Sequence, residues 1–240
     1  IQSDERKKRT NISAAIGLLV CALPVMALLG YWACRYSYYG TVDYSIRNIL
    51  VKDTAWKHIL VFLLAVAVVW GMDRMLTRTK RMQQEKICLG VLVLTVVAAF
   101  ILGILYILEN PYFPEGDQIG VAAFAAYARE GNYVMLGPGG YVGMYQQQKG
   151  LGVLYEILFT FFGNFNYTSA KIAHVIWWLF AILAGYGFLK LNTDRAVFRI
   201  LYCAMLLGCM PFLLYLPYIY GDILSVSFCM ILFWGVSAYE

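Results

Sequence analysis

The residues best suited to do chemistry lie in one polar stretch, residues 109–150, which reads ENPYFPEGDQIGVAAFAAYAREGNYVMLGPGGYVGMYQQQKG. Asp117 is the first candidate: it precedes IGVAAFAAYARE, an alanine-rich amphipathic run that predicts a helix at a membrane surface. At this position a carboxylate could be a functional group or the helix N-cap. The reciprocal capping box is missing because Gly120 occupies the third position after Asp117. The residues themselves leave both interpretations open.

Further polar side chains stand where they could bind a ligand. One cluster precedes the apolar run LGVLYEILFTFFG and consists of Tyr145, Gln146, Gln147, Gln148 and Lys149. Lys149 could be a ligand-binding cation or an anchor whose stem snorkels at the membrane boundary. Asp222 and Tyr220 stand in the sequence PYIYGD before the last apolar run, where capping and function explain Asp222 equally well.

A metal site is not predicted. The two histidines, His58 and His174, are far apart, and the six cysteines show no close pairing. We interpret these cysteines as core residues. Loop carboxylates could hold a divalent cation through oxygen, but the sequence shows too few ligands to assign one, and the cofactor is left unknown.

The composition indicates an integral membrane protein. Of 240 residues, 61% are apolar and 14% charged, whereas soluble domains average about half apolar and about a quarter charged. The net charge of +5 does not indicate nucleic-acid binding. The basic residues lie in short clusters between apolar runs, where orientation in the membrane accounts for them.

The apolar runs predict an all-α polytopic membrane bundle of about six transmembrane helices. They lie at residues 12–32, 58–72, 87–108, 169–189, 196–214 and 223–239. Residues 151–163 would reach only about 20 Å at about 1.5 Å per residue, so we predict an interfacial helix there. Basic clusters beside the spans then place the N-terminus in the cytoplasm and residues 109–167 outside a plasma membrane.

The chain is interpreted as one helical transmembrane domain, residues 1–240, whose external loop at 109–167 contains juxtamembrane helices and the candidate functional residues. No tandem repeat or flexible linker divides it. It starts at Ile1 and stops at Glu240 directly after an apolar run, which is consistent with a fragment of a longer protein.

The order of these elements resembles the membrane-embedded glycosyltransferases of the GT-C superfamily, and among them the bacterial relatives of protein O-mannosyltransferases and of the lipid A aminoarabinose transferase. The shared pattern is an acidic residue in an external loop, then A-x-x-x-x-x-G-N-Y, Y-x-Q-Q-x-G and P-x-x-x-Y-x-x-x-x-Y-G-D. It covers residues 109–240. Two features differ: two extra spans precede the loop, and Met144-Tyr145-Gln146 stands where such enzymes often have Pro-Pro or Tyr-Pro.

The resemblance implies transfer of a sugar from a polyprenyl-phosphate donor to an external glycan, lipid or protein acceptor, with inversion at the anomeric carbon. Asp117 would be the general base. Lys149 would stabilise the charge on the departing lipid phosphate. Donor oxygens would be bound by Tyr145, Gln147 and Gln148, and the acceptor side of the cavity would be completed by Tyr220 and Asp222.

Two other classes of protein remain as alternatives. A transporter or lipid flippase would use the external loop as a gate, but such proteins tend to show related halves and charges at mid-membrane. Neither feature stands out here. A membrane scaffold would leave the acid, the lysine and the tyrosines of the loop unexplained.

Overall fold

The computed structural model describes residues 36–43, 45–52, 55–111 and 113–239, with side chains from Trp56 onward. The predicted first span, residues 12–32, lies outside the described residues, as do Cys21 and Cys34. The chain divides into two compact units at Gly71 and Met72. Each unit is considered by itself.

The first unit contains a β-hairpin in addition to helix. Strands β1 (Tyr36–Asp43) and β2 (Ser45–Lys52) pair antiparallel, with Tyr36 opposite Lys52 and Asp43 opposite Ser45. Valine, isoleucine, threonine and tyrosine are frequent in both segments, and these residue types favour strands. The hairpin is a departure from the predicted all-α fold, whereas regular structure from Ala55 onward is helical throughout the described residues.

Nine helices follow the hairpin in the described part of the chain. They are α1 (Ala55–Thr77), α2 (Arg81–Glu109), α3 (Asp117–Arg129), α4 (Tyr141–Met144), α5 (Lys149–Phe162), α6 (Tyr167–Asn192), α7 (Ala196–Gly208), α8 (Met210–Tyr215) and α9 (Asp222–Tyr239). Short 3-10 turns at Val134–Leu136 and Gln146–Gln148 complete the loop between α3 and α5.

Within the described residues, four helices, α1, α2, α6 and α9, are long and apolar enough to cross a membrane. They match the predicted spans at 58–72, 87–108, 169–189 and 223–239. The predicted span at 196–214 is instead two helices, α7 and α8, which are separated at Cys209. Pro211 accounts for the break, because proline cannot donate the intrahelical hydrogen bond and its ring clashes with the preceding turn.

Helix α6 is the centre of the second unit. Its buried residues Val175, Trp178 and Ile182 form one core with Ala99 of α2 and Leu216 after α8. Helix α9 runs parallel to α6: Ser227 Oγ donates to the Trp177 carbonyl at 2.7 Å, and the rings of Phe188 and Phe233 lie 6.0 Å apart further along. The two helices therefore begin at the same end of the unit.

Helices α3 and α5 form a separate layer at that end. Val121, Ala122 and Ala125 of α3 pack with Tyr155 and Phe159 of α5. The other face of α5 is exposed and apolar, with Val153, Ile157 and Phe161 among its side chains. Because α5 has 14 residues, it reaches only about 21 Å. Helix α5 is therefore shorter than the helices that could cross a membrane, and its position at an interface stays a prediction.

Three ion pairs join the ends of α1, α2 and α7. Arg195 pairs with Asp73 at 2.9 Å, and Arg81 pairs with Asp194 at 3.1 Å. Buried Arg199 donates two hydrogen bonds to the carboxylate of Glu85, at 2.7 and 2.8 Å. We call this part of the molecule, residues 73–86 and 190–199, the basic end.

The described cysteines only partly follow the interpretation as core residues. Cys88 and Cys203 are buried in one cluster with Tyr186 and Ala196. Cys209 is half-buried, whereas Cys229 is exposed on α9. A free thiol on a helix long enough to cross a membrane can face lipid, since it behaves as a small apolar group.

Candidate functional site

Asp117 is the first residue of α3, and it does not cap the helix. The N-cap is Gly116, with φ 56° and ψ −126°, and no side chain accepts a hydrogen bond from the first turn. Glycine suits this position because a positive φ is costly for other residues. The interpretation of Asp117 as an N-cap is therefore wrong. Its exposed carboxylate lies in the first turn, where the helix dipole favours negative charge.

Tyr141, at the start of α4, lies directly over this first turn. A Cβ added to Gly120 would stand 2.5 Å from the Tyr141 ring, so only glycine permits the contact. The Tyr141 hydroxyl lies near the Asp117 carboxylate. Burial, followed by the charge of Asp117, raises the pKa of Tyr141 to about 12. Tyr141 therefore keeps its proton at neutral pH and places a neutral hydroxyl beside the carboxylate.

Two more tyrosines extend this contact. The ring of Tyr145 lies 4.9 Å from that of Tyr141. Tyr220 is near enough to Tyr141 to contribute to the increase in its pKa. We call Asp117, Tyr141, Tyr145 and Tyr220 the tyrosine cluster.

Gln118 fixes the corner that carries Tyr220. Its side chain is 3% exposed, and its Oε1 accepts a hydrogen bond of 2.9 Å from the amide of Ile219, which is fully buried. The first turn of α3 and the connection between α8 and α9 are thus held together through a buried polar contact. A buried amide without this partner would cost about 1–3 kcal/mol.

A cleft of about 690 Å³ lies between α5 and the first turns of α9. Its polar part consists of Gln147, Gln148, Tyr220, Asp222 and Ser225. Its apolar walls are built by Leu151, Val153, Leu154 and Ile157 of α5 and by Leu224 and Phe228 of α9. Asp222 is the charged side chain among the described lining residues, and it also borders a smaller cavity of about 250 Å³ beside α8.

The predicted site residues thus fall into three places. Gln147, Gln148, Tyr220 and Asp222 line the cleft. Asp117 and Tyr145 belong to the tyrosine cluster, which Tyr220 joins to the cleft. Lys149 is exposed as the first residue of α5 and does not line the cleft, although its neighbours Gln148 and Gly150 do.

Sequence reasoning missed Tyr141 and Gln118. Tyr141 follows the GPGG turn, which could have identified it as the first ordered side chain after a loop. Gln118 stands beside Asp117, and no pattern indicated that one side chain would face the surface and the other the interior. His174, which the sequence did not place in a metal site, lies fully buried between Tyr155 and the Leu216 carbonyl.

Among the residues that the structure describes, no three histidine, cysteine, aspartate or glutamate side chains lie close enough to hold a metal ion. No protein-family model, no curated protein and no solved structure matches the chain. A function therefore has to be assigned from the chemistry of the cleft and the tyrosine cluster.

Proposed function

We propose that this chain is a membrane glycosyltransferase, which moves a sugar from a polyprenyl-phosphate donor to an acceptor at the membrane surface. The observation that carries the proposal is the cleft between α5 and α9. It joins apolar walls to a polar part that ends beside the tyrosine cluster. A lipid-linked sugar has the same division between hydrocarbon and polar head.

The apolar walls suit a hydrocarbon chain. Val153, Ile157 and Phe228 are about half exposed, at 48%, 51% and 47%. One wall belongs to α9, which is long and apolar enough to cross a membrane. Large apolar side chains exposed together mark a binding or membrane surface. A prenyl chain can therefore enter the cleft from the bilayer while its head remains at the polar part.

In the proposed reaction the acceptor hydroxyl attacks the anomeric carbon. The new carbon–oxygen bond forms as the bond from that carbon to the phosphate oxygen breaks, and polyprenyl phosphate departs with the bonding electrons. The acceptor proton passes to Asp117, whose carboxylate lies beside the Tyr141 hydroxyl. A single displacement of this kind inverts the anomeric centre, as it does in inverting glycosidases.

The departing phosphate needs positive charge close to it. Lys149 remains the proposed source, because the residues on either side of it line the cleft and its long stem allows its ammonium to turn towards the polar part.

The test uses the full-length protein in its membrane or in nanodiscs, with polyprenyl-phosphate sugars as donors. Asp117→Asn should reduce release of polyprenyl phosphate by at least about 100-fold, the lower range for general acid–base catalysis. Glu115→Gln is the matched control, since it removes another exposed carboxylate two positions away. Glu115→Gln should retain the full rate.

Two results would reassign the chemistry. Undiminished release by Asp117→Asn would remove this residue as the base. Loss of release in Asp222→Asn alone would transfer the role to the carboxylate that lines the cleft. For the donor, Lys149→Ala should raise KM more than it lowers kcat, and an unchanged KM would return Lys149 to the role of a membrane anchor.

A further inference from the structure

The basic end carries more positive charge than its internal ion pairs neutralise. All three of its acidic residues, Asp73, Glu85 and Asp194, are paired with arginines. Apart from Arg74, the four remaining cations are exposed, and no ion pair within the described part of the chain involves them: Arg78, Lys80, Lys86 and Lys190. Ion pairing inside the protein therefore does not account for these four side chains.

The distribution of charge along the second unit is strongly asymmetric. The basic end contains eight basic and three acidic residues, which gives a net charge of +5. Residues 109–166 and 216–222, where α2 ends and α6 and α9 begin, contain two basic and six acidic residues. An anionic partner is therefore attracted to the basic end alone.

Exposed apolar side chains beside these cations indicate where the surface lies. Met82 and Ile87 are 67% and 42% exposed on α2, and Leu191 and Phe198 are 54% and 50% exposed on α6 and α7. Cations and large apolar groups that alternate on helix ends are typical of a membrane boundary, where the charged heads reach the interface. Lys86 and Lys190 belong to helices long and apolar enough to cross the membrane, and each lies near the end of its helix that belongs to the basic end.

We propose that the basic end binds the headgroups of anionic phospholipids, through Arg78, Lys80, Lys86 and Lys190. Lipid is the partner that the surface fits, because a soluble acidic protein or a nucleic acid would leave the neighbouring apolar side chains uncovered. The site is independent of the proposed glycosyl transfer, since it lies at the other end of α2 and α6.

The test compares lipid binding by the full chain in nanodiscs of phosphatidylcholine with and without phosphatidylglycerol, measured by native mass spectrometry of the retained lipids. The fourfold variant Arg78→Gln, Lys80→Gln, Lys86→Gln, Lys190→Gln should lose at least about tenfold of the preference for phosphatidylglycerol, because each basic residue near the surface contributes to attraction. The matched control exchanges lysine and arginine at the same four positions and should keep the preference.

Three outcomes would overturn the proposal. The first is an unchanged preference in the fourfold glutamine variant. The second is an equal loss in the charge-retaining control, which would show that positive charge at these four positions does not set the preference. The third is tighter binding of soluble polyglutamate or inorganic phosphate than of phosphatidylglycerol at the same anion concentration. If the fourfold variant does not fold, the single variant Lys86→Gln replaces it in the test. We expect it to lose part of the preference for phosphatidylglycerol.

Discussion

Replacing Tyr155 by phenylalanine tests the buried contact that joins α5 to α6 and to the corner after α8. The Tyr155 hydroxyl donates to His174 Nε2 at 2.9 Å, and His174 Nδ1 donates to the Leu216 carbonyl at 3.3 Å. Both side chains are fully buried. Burial raises the pKa of Tyr155 far above its ordinary value, so the hydroxyl keeps its proton and remains a donor. Since Nδ1 is also a donor, Nε2 must be the acceptor.

The magnitude follows from the group that is left behind. Tyr155→Phe removes the donor and leaves His174 Nε2 buried without a partner, which costs about 1–3 kcal/mol. A matched control is Tyr133→Phe, because Tyr133 is 55% exposed and surface changes usually stay within about 0.5 kcal/mol. In the double variant with His174→Phe both partners are apolar, so its loss should be smaller than the sum of the two single losses.

The assay is equilibrium unfolding in denaturant of the detergent-solubilised chain, with the four proteins of the cycle measured side by side. A loss in Tyr155→Phe no larger than in Tyr133→Phe would refute the reasoning. Strict additivity in the double variant would refute it as well, because it would show that the two side chains do not interact.

Three further predictions concern other contacts. Gly120→Ala should destabilise the chain by about 1–3 kcal/mol in a thermal melt, because the new Cβ would overlap the Tyr141 ring. Gly90→Ala is the control and should be neutral or stabilising, because nothing lies within 4 Å of the added Cβ. Arg199→Met should lower the free energy of unfolding by about 1.5–3 kcal/mol in denaturant, because the Arg199 side chain is 3% exposed. Arg81→Met removes an exposed ion pair and should cost less than about 1 kcal/mol. Equal losses of stability in the two variants would contradict the effect of burial. Because the folded pKa of Tyr141 is raised to about 12, its contribution to stability is present below the ordinary pKa of about 10 and is lost as the pH rises towards 12. Tyr141→Phe should therefore flatten the pH dependence of unfolding in that window, and an unchanged slope would contradict the assignment.

The spans could be predicted because a bilayer imposes a length and a composition on any helix that crosses it. The same rule overlooked the interruption at Cys209, since residues 196–214 are apolar enough throughout and only Pro211 indicates a break. The β-hairpin at residues 36–52 was missed because the segment was treated as a loop between two spans.

The candidate site was predicted as a set of residues rather than as a geometry. Gln147, Gln148, Tyr220 and Asp222 come together at the cleft although about 70 residues separate the two pairs along the chain. Local sequence could not place Lys149 relative to the cleft, because its direction depends on the rotation of α5 about its own axis. Local sequence also could not show that the Tyr141 ring would cover the first turn of α3.

The most direct test of the central claim is whether the cleft between α5 and α9 holds a lipid-linked donor during turnover. Release of polyprenyl phosphate would be measured for the full-length wild type, for Ser225→Phe, which fills the polar part of the cleft, and for Gly235→Phe. The last is a control on the same helix, where nothing lies within 4 Å of an added Cβ. We predict release by the wild type and by Gly235→Phe, and little or none by Ser225→Phe. Release by Ser225→Phe at the wild-type rate, or no release by the wild type from any polyprenyl-phosphate sugar, would contradict the proposed function.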